Sequence, residues 1–274
     1  MIRDITLGQY FPGTSPLHKM DPRAKIVLMI SYVVLLFLAK TVLAYVFLTV
    51  TTLVLILLTR ISFKFYLRGL KPLLFIIIFT SVLNMLYSPG EPLFSFWIFS
   101  VSLEGILTAV FMVLRIVMMF LTMSILTYTT SPLLLTGGLE RLLYPLSWVK
   151  VPVHDFAMMM TIALRFIPTL LEETEKIMNA QKARGADFEN GNLIRRAKAM
   201  IPILIPLFVS AIRRAEELAV AMECRCYDGG DAPRTRFVEY RFTWIDLVAL
   251  LVCVGLFVSV FLLNRVVLPG EIGL

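Results

Sequence analysis

Arg184 and Arg225 each stand between two of the smallest side chains in the alphabet. The stretch AQKARGADF, residues 180 to 188, sets Arg184 between Ala183 and Gly185. Forty-one residues later, AMECRCYDG sets Arg225 between Cys224 and Cys226. Each arginine closes a helical pattern, and Gly185 suits a helix stop. A guanidinium cleared of bulky neighbours can enter a narrow acidic pocket on another protein and bond there bidentately. Taken singly, either motif is a weak signal, and a cation complementing the negative end of a helix dipole is the commoner reading. Two of them, ending two successive long helices, weight the reading towards docking.

The other reactive side chains point away from catalysis. There is no GxxxxGK[ST] phosphate loop, no HExxH and no GxSxG elbow. The only histidines, His18 and His154, lie far apart, and three cysteines make neither a disulfide framework nor a zinc set. Glu172, Glu173 and Glu175 follow a helical pattern beside Lys176 and read as a solvated face. No cofactor site and no metal site emerge, and the sequence offers no enzyme.

These residues belong to a chain built for lipid. Of its 274 residues 58% are hydrophobic and 16% charged, where soluble domains carry about a quarter charged. Mean hydropathy is +0.84, and long uncharged runs identify a polytopic membrane protein. The net charge of +7 does not indicate nucleic acid, because the excess lies in short loops beside apolar runs. The first sixteen residues, MIRDITLGQYFPGTSP, lack the pattern of a signal peptide.

Residues 26 to 59 are apolar except for Lys40. As one helix they would reach roughly 50 Å against a hydrocarbon core of about 30 Å, so they fold into two spans. The spacing predicts five spans: 24–39, 42–59, 71–88, 103–129 and 244–263. Between the third and fourth lies PGEPLFSFWIFSVS, rich in proline and aromatics, as at a membrane surface. Arg3, Lys19, Arg23 and Lys25 precede the first span, and Arg60, Lys64, Arg68 and Lys71 separate the second from the third. The opposite loops hold Lys40 and Glu91. Excess positive charge marks the cytoplasmic side, so the N-terminus is expected inside and the C-terminus outside.

Residues 131–243 differ in kind, with 15 basic and 13 acidic residues and no stretch long and apolar enough to span. Three helices are expected, over 132–145, 153–184 and 192–226, with bends at Pro168, Pro202 and Pro206. The organisation expected is therefore all-α: a four-span membrane domain (1–130), a cytoplasmic domain of three helices (131–243), and a last span with a short external tail (244–274). Asp21-Pro22 and Ser131-Pro132 read as a cap followed by proline at the first helical position, and Thr243 to Asp246 as a third helix start. Arg115, midway along the fourth span, is either functional or a structural arginine satisfied by Asn84, by carbonyls or by a partner subunit.

Several stretches together resemble, over nearly the full length, one known family. They are PGTSPLHKMDPRAK, YTTSPLLLTGGLERLLYPL, MMMTIALRFIPTLLEETEKIMNAQKARG, and ELAVAMECRCYDGG followed by RTRF. The chain resembles the transmembrane T component of energy-coupling factor (ECF) transporters, the EcfT and CbiQ-like proteins. The resemblance implies a non-catalytic subunit of an ABC importer in a prokaryotic cell membrane. It implies two long cytoplasmic helices crossing in an X, each ending in a small-Arg-small motif docked on one of two ATP-binding-cassette ATPases. A separate small membrane protein, the S component, would capture a vitamin or metal ion and topple to release it inside.

Residue by residue, the docking motifs match Ala183-Arg184-Gly185 and Cys224-Arg225-Cys226. The second departs from the usual Ala-Arg-Gly; cysteine is small enough to preserve access, while Cys226 replaces the glycine expected to end the helix. An apolar side comprising Met158, Met159, Phe166, Leu170, Ile203 and Leu207, with Ile212 beside it, faces either the S component or lipid headgroups. A membrane scaffold of another ABC-type machine and a small secondary carrier stay open as alternatives.

Overall fold

The computed structural model describes residues 10–87, 92–96, 99–186, 188, 192–227 and 242–266. The external tail expected after the last span lies outside them. In chain order the elements are α1 (Pro16–Lys19), α2 (Pro22–Leu38), α3 (Val42–Thr59), α4 (Phe63–Leu70), α5 (Leu74–Tyr87), β1 (Pro92–Phe96), β2 (Phe99–Ser102), α6 (Leu103–Thr129), α7 (Pro132–Leu143), α8 (Val153–Ala183), α9 (Leu193–Glu223) and α10 (Trp244–Val266). Short 3₁₀ turns, Lys71–Leu73 and Tyr144–Val149, follow α4 and α7.

The fold is the all-α membrane architecture expected, with one addition. The segment read as a loop closes into an antiparallel hairpin, β1 pairing β2 with Phe94 opposite Val101 and Phe96 opposite Phe99. Its sequence alternates apolar and small polar residues (Phe94, Ser95, Phe96, then Phe99, Ser100, Val101, Ser102), which is the period of a strand.

Four helical stretches are long and apolar enough to cross a membrane: Val42–Thr59, Phe63–Met85, Gly105–Thr129 and Trp244–Arg265. The second of these, expected as the third span, begins at Phe63 rather than at residue 71. Pro72 opens a 3₁₀ turn, where its missing N–H is not needed, so the chain runs from α4 into α5 without a break. Only 11 to 33% of each stretch is buried, and outward residues such as Leu57 and Phe75 are 77% exposed. An apolar surface that extensive requires hydrocarbon as its solvent. The expected first span, α2, has 17 residues, about 25 Å, and does not reach the length of the other four. It is nonetheless central to the packing. Tyr32, Leu35 and Leu36 of α2, Tyr45 and Leu48 of α3, Phe111 and Met118 of α6 and Val260 of α10 form one buried cluster. Within it the Tyr32 hydroxyl donates to the Leu48 carbonyl at 2.7 Å.

A polar knot ties the starts of α2 and α10. Asp21 caps α2 by accepting from the Arg23 N–H, as its sequence position predicts. The fully buried Asp246 accepts from the Thr243 N–H at 2.7 Å, and also from the Asp21 N–H at 2.9 Å, 225 residues away. Lys25, buried, donates to the Thr129 carbonyl and the Thr130 hydroxyl at the end of α6.

The chain divides into two compact units: α1 to α7, the hairpin and α10 form one, and α8 with α9 the other. The division therefore falls one helix later than residue 131. Ser131 caps α7 as anticipated, but α7 packs on α2, because Gly138 lets it approach closely. A Cβ at 138 would stand 2.9 Å from that of Pro22. In the second unit α8 and α9 each run 31 residues as continuous helices, with Pro168 inside the first and Pro202 and Pro206 inside the second.

Candidate docking site at the helix ends

Both long helices end in the same hydrogen-bonded figure. At the end of α8 the Gly185 N–H donates to the Lys182 carbonyl at 2.9 Å, and the Ala186 N–H to the Gln181 carbonyl at 3.0 Å. At the end of α9 the Cys226 N–H donates to the Glu223 carbonyl at 2.8 Å, and the Tyr227 N–H to the Met222 carbonyl at 3.0 Å. Each is a Schellman motif, whose turning residue takes a left-handed conformation. Gly185 has φ of 88° and Cys226 has φ of 59°. Arg184 and Arg225 thus hold the same position, the last before the chain turns.

The cysteine noted as a departure ends its helix as glycine does, at a cost. A side chain in the left-handed region loses about 1–2 kcal/mol, which Gly185 avoids. All six residues of the two motifs are exposed, and beyond its two chain neighbours no atom lies within 4 Å of where a Cβ on Gly185 would stand. Arg184 and Arg225 are themselves exposed, and the side chains beside them in sequence have at most two non-hydrogen atoms each.

Where the helices meet, Glu173 of α8 accepts from the Ser210 hydroxyl and pairs with Arg214 of α9 at 2.9 Å. Glu173 is therefore not part of a merely solvated face. Its carboxylate and the Arg214 guanidinium keep roughly a quarter to a third of their surface exposed, so the pair is worth at most about 1 kcal/mol. Its value is geometric. Glu173 lies eleven residues before Arg184, and Arg214 eleven residues before Arg225. Each arginine therefore stands about 16 Å along its helix from the same junction. Sequence reading found the two ends and missed the junction, though the equal offset was present in the numbering.

Of the six residues expected to face a membrane partner, Met159 is exposed at 52%. Met158, Phe166, Leu170 and Leu207 are half-buried, and Ile203 is buried. Exposed beside or among them are Phe156, Met159 and Met160 on α8, and Leu204, Ile205 and Phe208 on α9, each 52–68% exposed. A periodic pattern locates an apolar stripe on a helix, not which edge of it the neighbouring chain covers.

Arg115 has a different partner from Asn84. Its Nε donates to the Tyr45 hydroxyl at 3.0 Å, a second guanidinium nitrogen does the same, and the group sits over the Phe37 ring, 5.3 Å from its centroid. Asn84 instead donates to the Thr80 carbonyl of its own helix. Aromatic faces and a hydroxyl lower the cost of a cation among spans. No group of three or more His, Cys, Asp or Glu that could hold a metal occurs among the described residues.

Residues 13–236 match the CbiQ family, described as cobalt transport protein. The chain is 53% identical over 247 residues to the energy-coupling factor transporter transmembrane protein EcfT of Ruminiclostridium cellulolyticum, covering 90% of this chain and 92% of that one. It is 50% identical over 268 residues to EcfT of Clostridium kluyveri (97% and 98%), and 45% identical over 260 residues to EcfT of Bacillus subtilis (93% and 98%). Shared sequence on that scale, over a fold of lipid-facing helices, makes this chain a member of the EcfT/CbiQ family, the non-catalytic transmembrane components of energy-coupling factor transporters.

Proposed function

We propose that the chain is the coupling subunit of an ECF-type ABC importer. It receives ATP-driven motion through Ala183-Arg184-Gly185 and Cys224-Arg225-Cys226, and passes it to an S component that carries a vitamin or a metal ion. One observation carries the reading. Two exposed arginines occupy the same position of identical Schellman motifs, at equal distances from the Glu173–Arg214 junction. Equal arms suit a partner that is itself a pair of similar subunits, such as two ABC ATPases, each offering an acidic groove.

The remaining assignments follow from the same reading. The second unit is the coupling domain and stands on the cytoplasmic side with the N-terminus, a reading that the basic loops before α2 and after α3 support. With α2 counted as the fifth span, the C-terminus is external, and the protein is a multi-pass protein of the cell membrane. The apolar surface of Phe156, Met159, Met160, Leu204, Ile205 and Phe208 is where an S component rests. Flexible methionines suit a surface that exchanges partners. Purification of the intact chain in mild detergent tests this. ATPase subunits together with a small apolar membrane protein are the expected companions; a chain that emerges with neither contradicts the proposal.

A further inference from the structure

The two docking ends differ in one chemical respect. The flanks of Arg184, Ala183 and Gly185, carry no reactive atom, whereas both flanks of Arg225 are free, exposed thiols. If small size were the only requirement, alanine and glycine would meet it, as they do on α8. Cys226 moreover occupies a left-handed position that glycine takes without strain. We propose that Cys224 and Cys226 are a thiol-modification site through which a low-molecular-weight disulfide blocks ATPase docking at the α9 end alone.

The step is thiol–disulfide exchange. The thiolate of Cys224 or Cys226 attacks one sulfur of the small disulfide, whose S–S bond breaks as a mixed disulfide forms. The other half leaves as a thiolate and takes up the proton that the cysteine lost. No further oxidant is needed, and excess thiol reverses the step. The adduct replaces a side chain of two non-hydrogen atoms, Cβ and Sγ, beside Arg225 with one far larger, which removes the clearance on which entry into a narrow groove depends. The α8 end cannot respond in this way. Docking then falls from two points to one and loses the gain of double attachment.

The inference rests on the docking reading, and the experiment separates the two. Membranes carrying the full chain, first reduced, are incubated with oxidised glutathione, washed, and mixed with the ATPase subunits that copurify with it. The adduct should appear at Cys224 or Cys226 by peptide mass spectrometry. ATPase retention should fall by about tenfold or more, and dithiothreitol should restore it. The Cys224→Ala, Cys226→Gly double variant, whatever its own level of retention, should show no loss on the same treatment. A Cys253→Ser variant, changed within α10, should respond as the unaltered chain does. An adduct that leaves retention unchanged, or the failure of both thiols to form one, overturns the inference. Untreated membranes that retain no ATPase, or an Arg184→Glu, Arg225→Glu chain that retains it fully, would instead overturn the docking reading.

Discussion

At the scale of single residues, the arginines differ by what surrounds them. Arg184 and Arg225 point into open space at the turn of a helix, where an exposed cation contributes about 1 kcal/mol or less to its own fold. Such residues are free to serve a partner. Arg115 is the reverse: its donors go to the Tyr45 hydroxyl, and its charge rests on Phe37 and Tyr45. Tyr45→Phe keeps the ring and removes the acceptor, leaving charged donors unsatisfied among the spans. It should lower stability by about 1–3 kcal/mol, read as a fall in the melting temperature of the detergent-solubilised protein. Asn84→Ala should be close to neutral by the same measurement, since Asn84 engages only its own helix. An Asn84 effect equal to that of Tyr45 would return Asn84 to the role first expected of it.

At the scale of elements, the Glu173–Arg214 junction fixes where α8 and α9 touch. Glu173→Arg or Arg214→Glu alone places like charges face to face, and the double exchange restores the pair. Each single change should therefore impair ATP-dependent uptake severalfold, and the double should recover much of it, although thermal stability moves by only about 1 kcal/mol in any of them. Recovery no better than the product of the two single losses would mean that the junction does not transmit motion. Much at this scale was legible beforehand. The α8 helix ends one residue short of the expected 184, and α9 falls within 192–226, because caps, prolines and the small-Arg-small stops are local signals. The β1–β2 hairpin was missed because its period-2 run is short and aromatic-rich. The packing of α7 on α2 was missed because it rests on Gly138 meeting Pro22, a long-range contact that no local pattern announces. Tyr45 as the partner of Arg115 was unreadable for the same reason, 70 residues separating them.

At the scale of the whole molecule, the proposed function needs separate surfaces for lipid, for an S component and for ATPases. The S-component surface has a direct check. Photocrosslinking residues at Met159 and Phe208, both more than half exposed, should trap a small membrane protein during uptake, and one at the buried Ile203 should trap much less. Probes at Met159 and Phe208 that capture only lipid would leave that surface resting on headgroups.

The proposed function turns on whether the two helix-end arginines carry the ATPases. The decisive measurement is ATP-dependent substrate uptake and ATPase retention, in the same membranes, for Arg184→Glu, Arg225→Glu and the double variant. A desolvated charge pair broken at one partner costs several kcal/mol, on the order of 2–5, against about 1 or less for an exposed helix end. Each single variant should lose retention or sever ATP hydrolysis from uptake. The double variant should abolish uptake while the protein still inserts and folds, since neither residue lies in a candidate span. Lysine at either site should restore only part of the function, keeping charge without the bidentate fork. A double variant that retains its ATPases and transports at the normal rate would reduce both arginines to helix-end decoration and contradict the account.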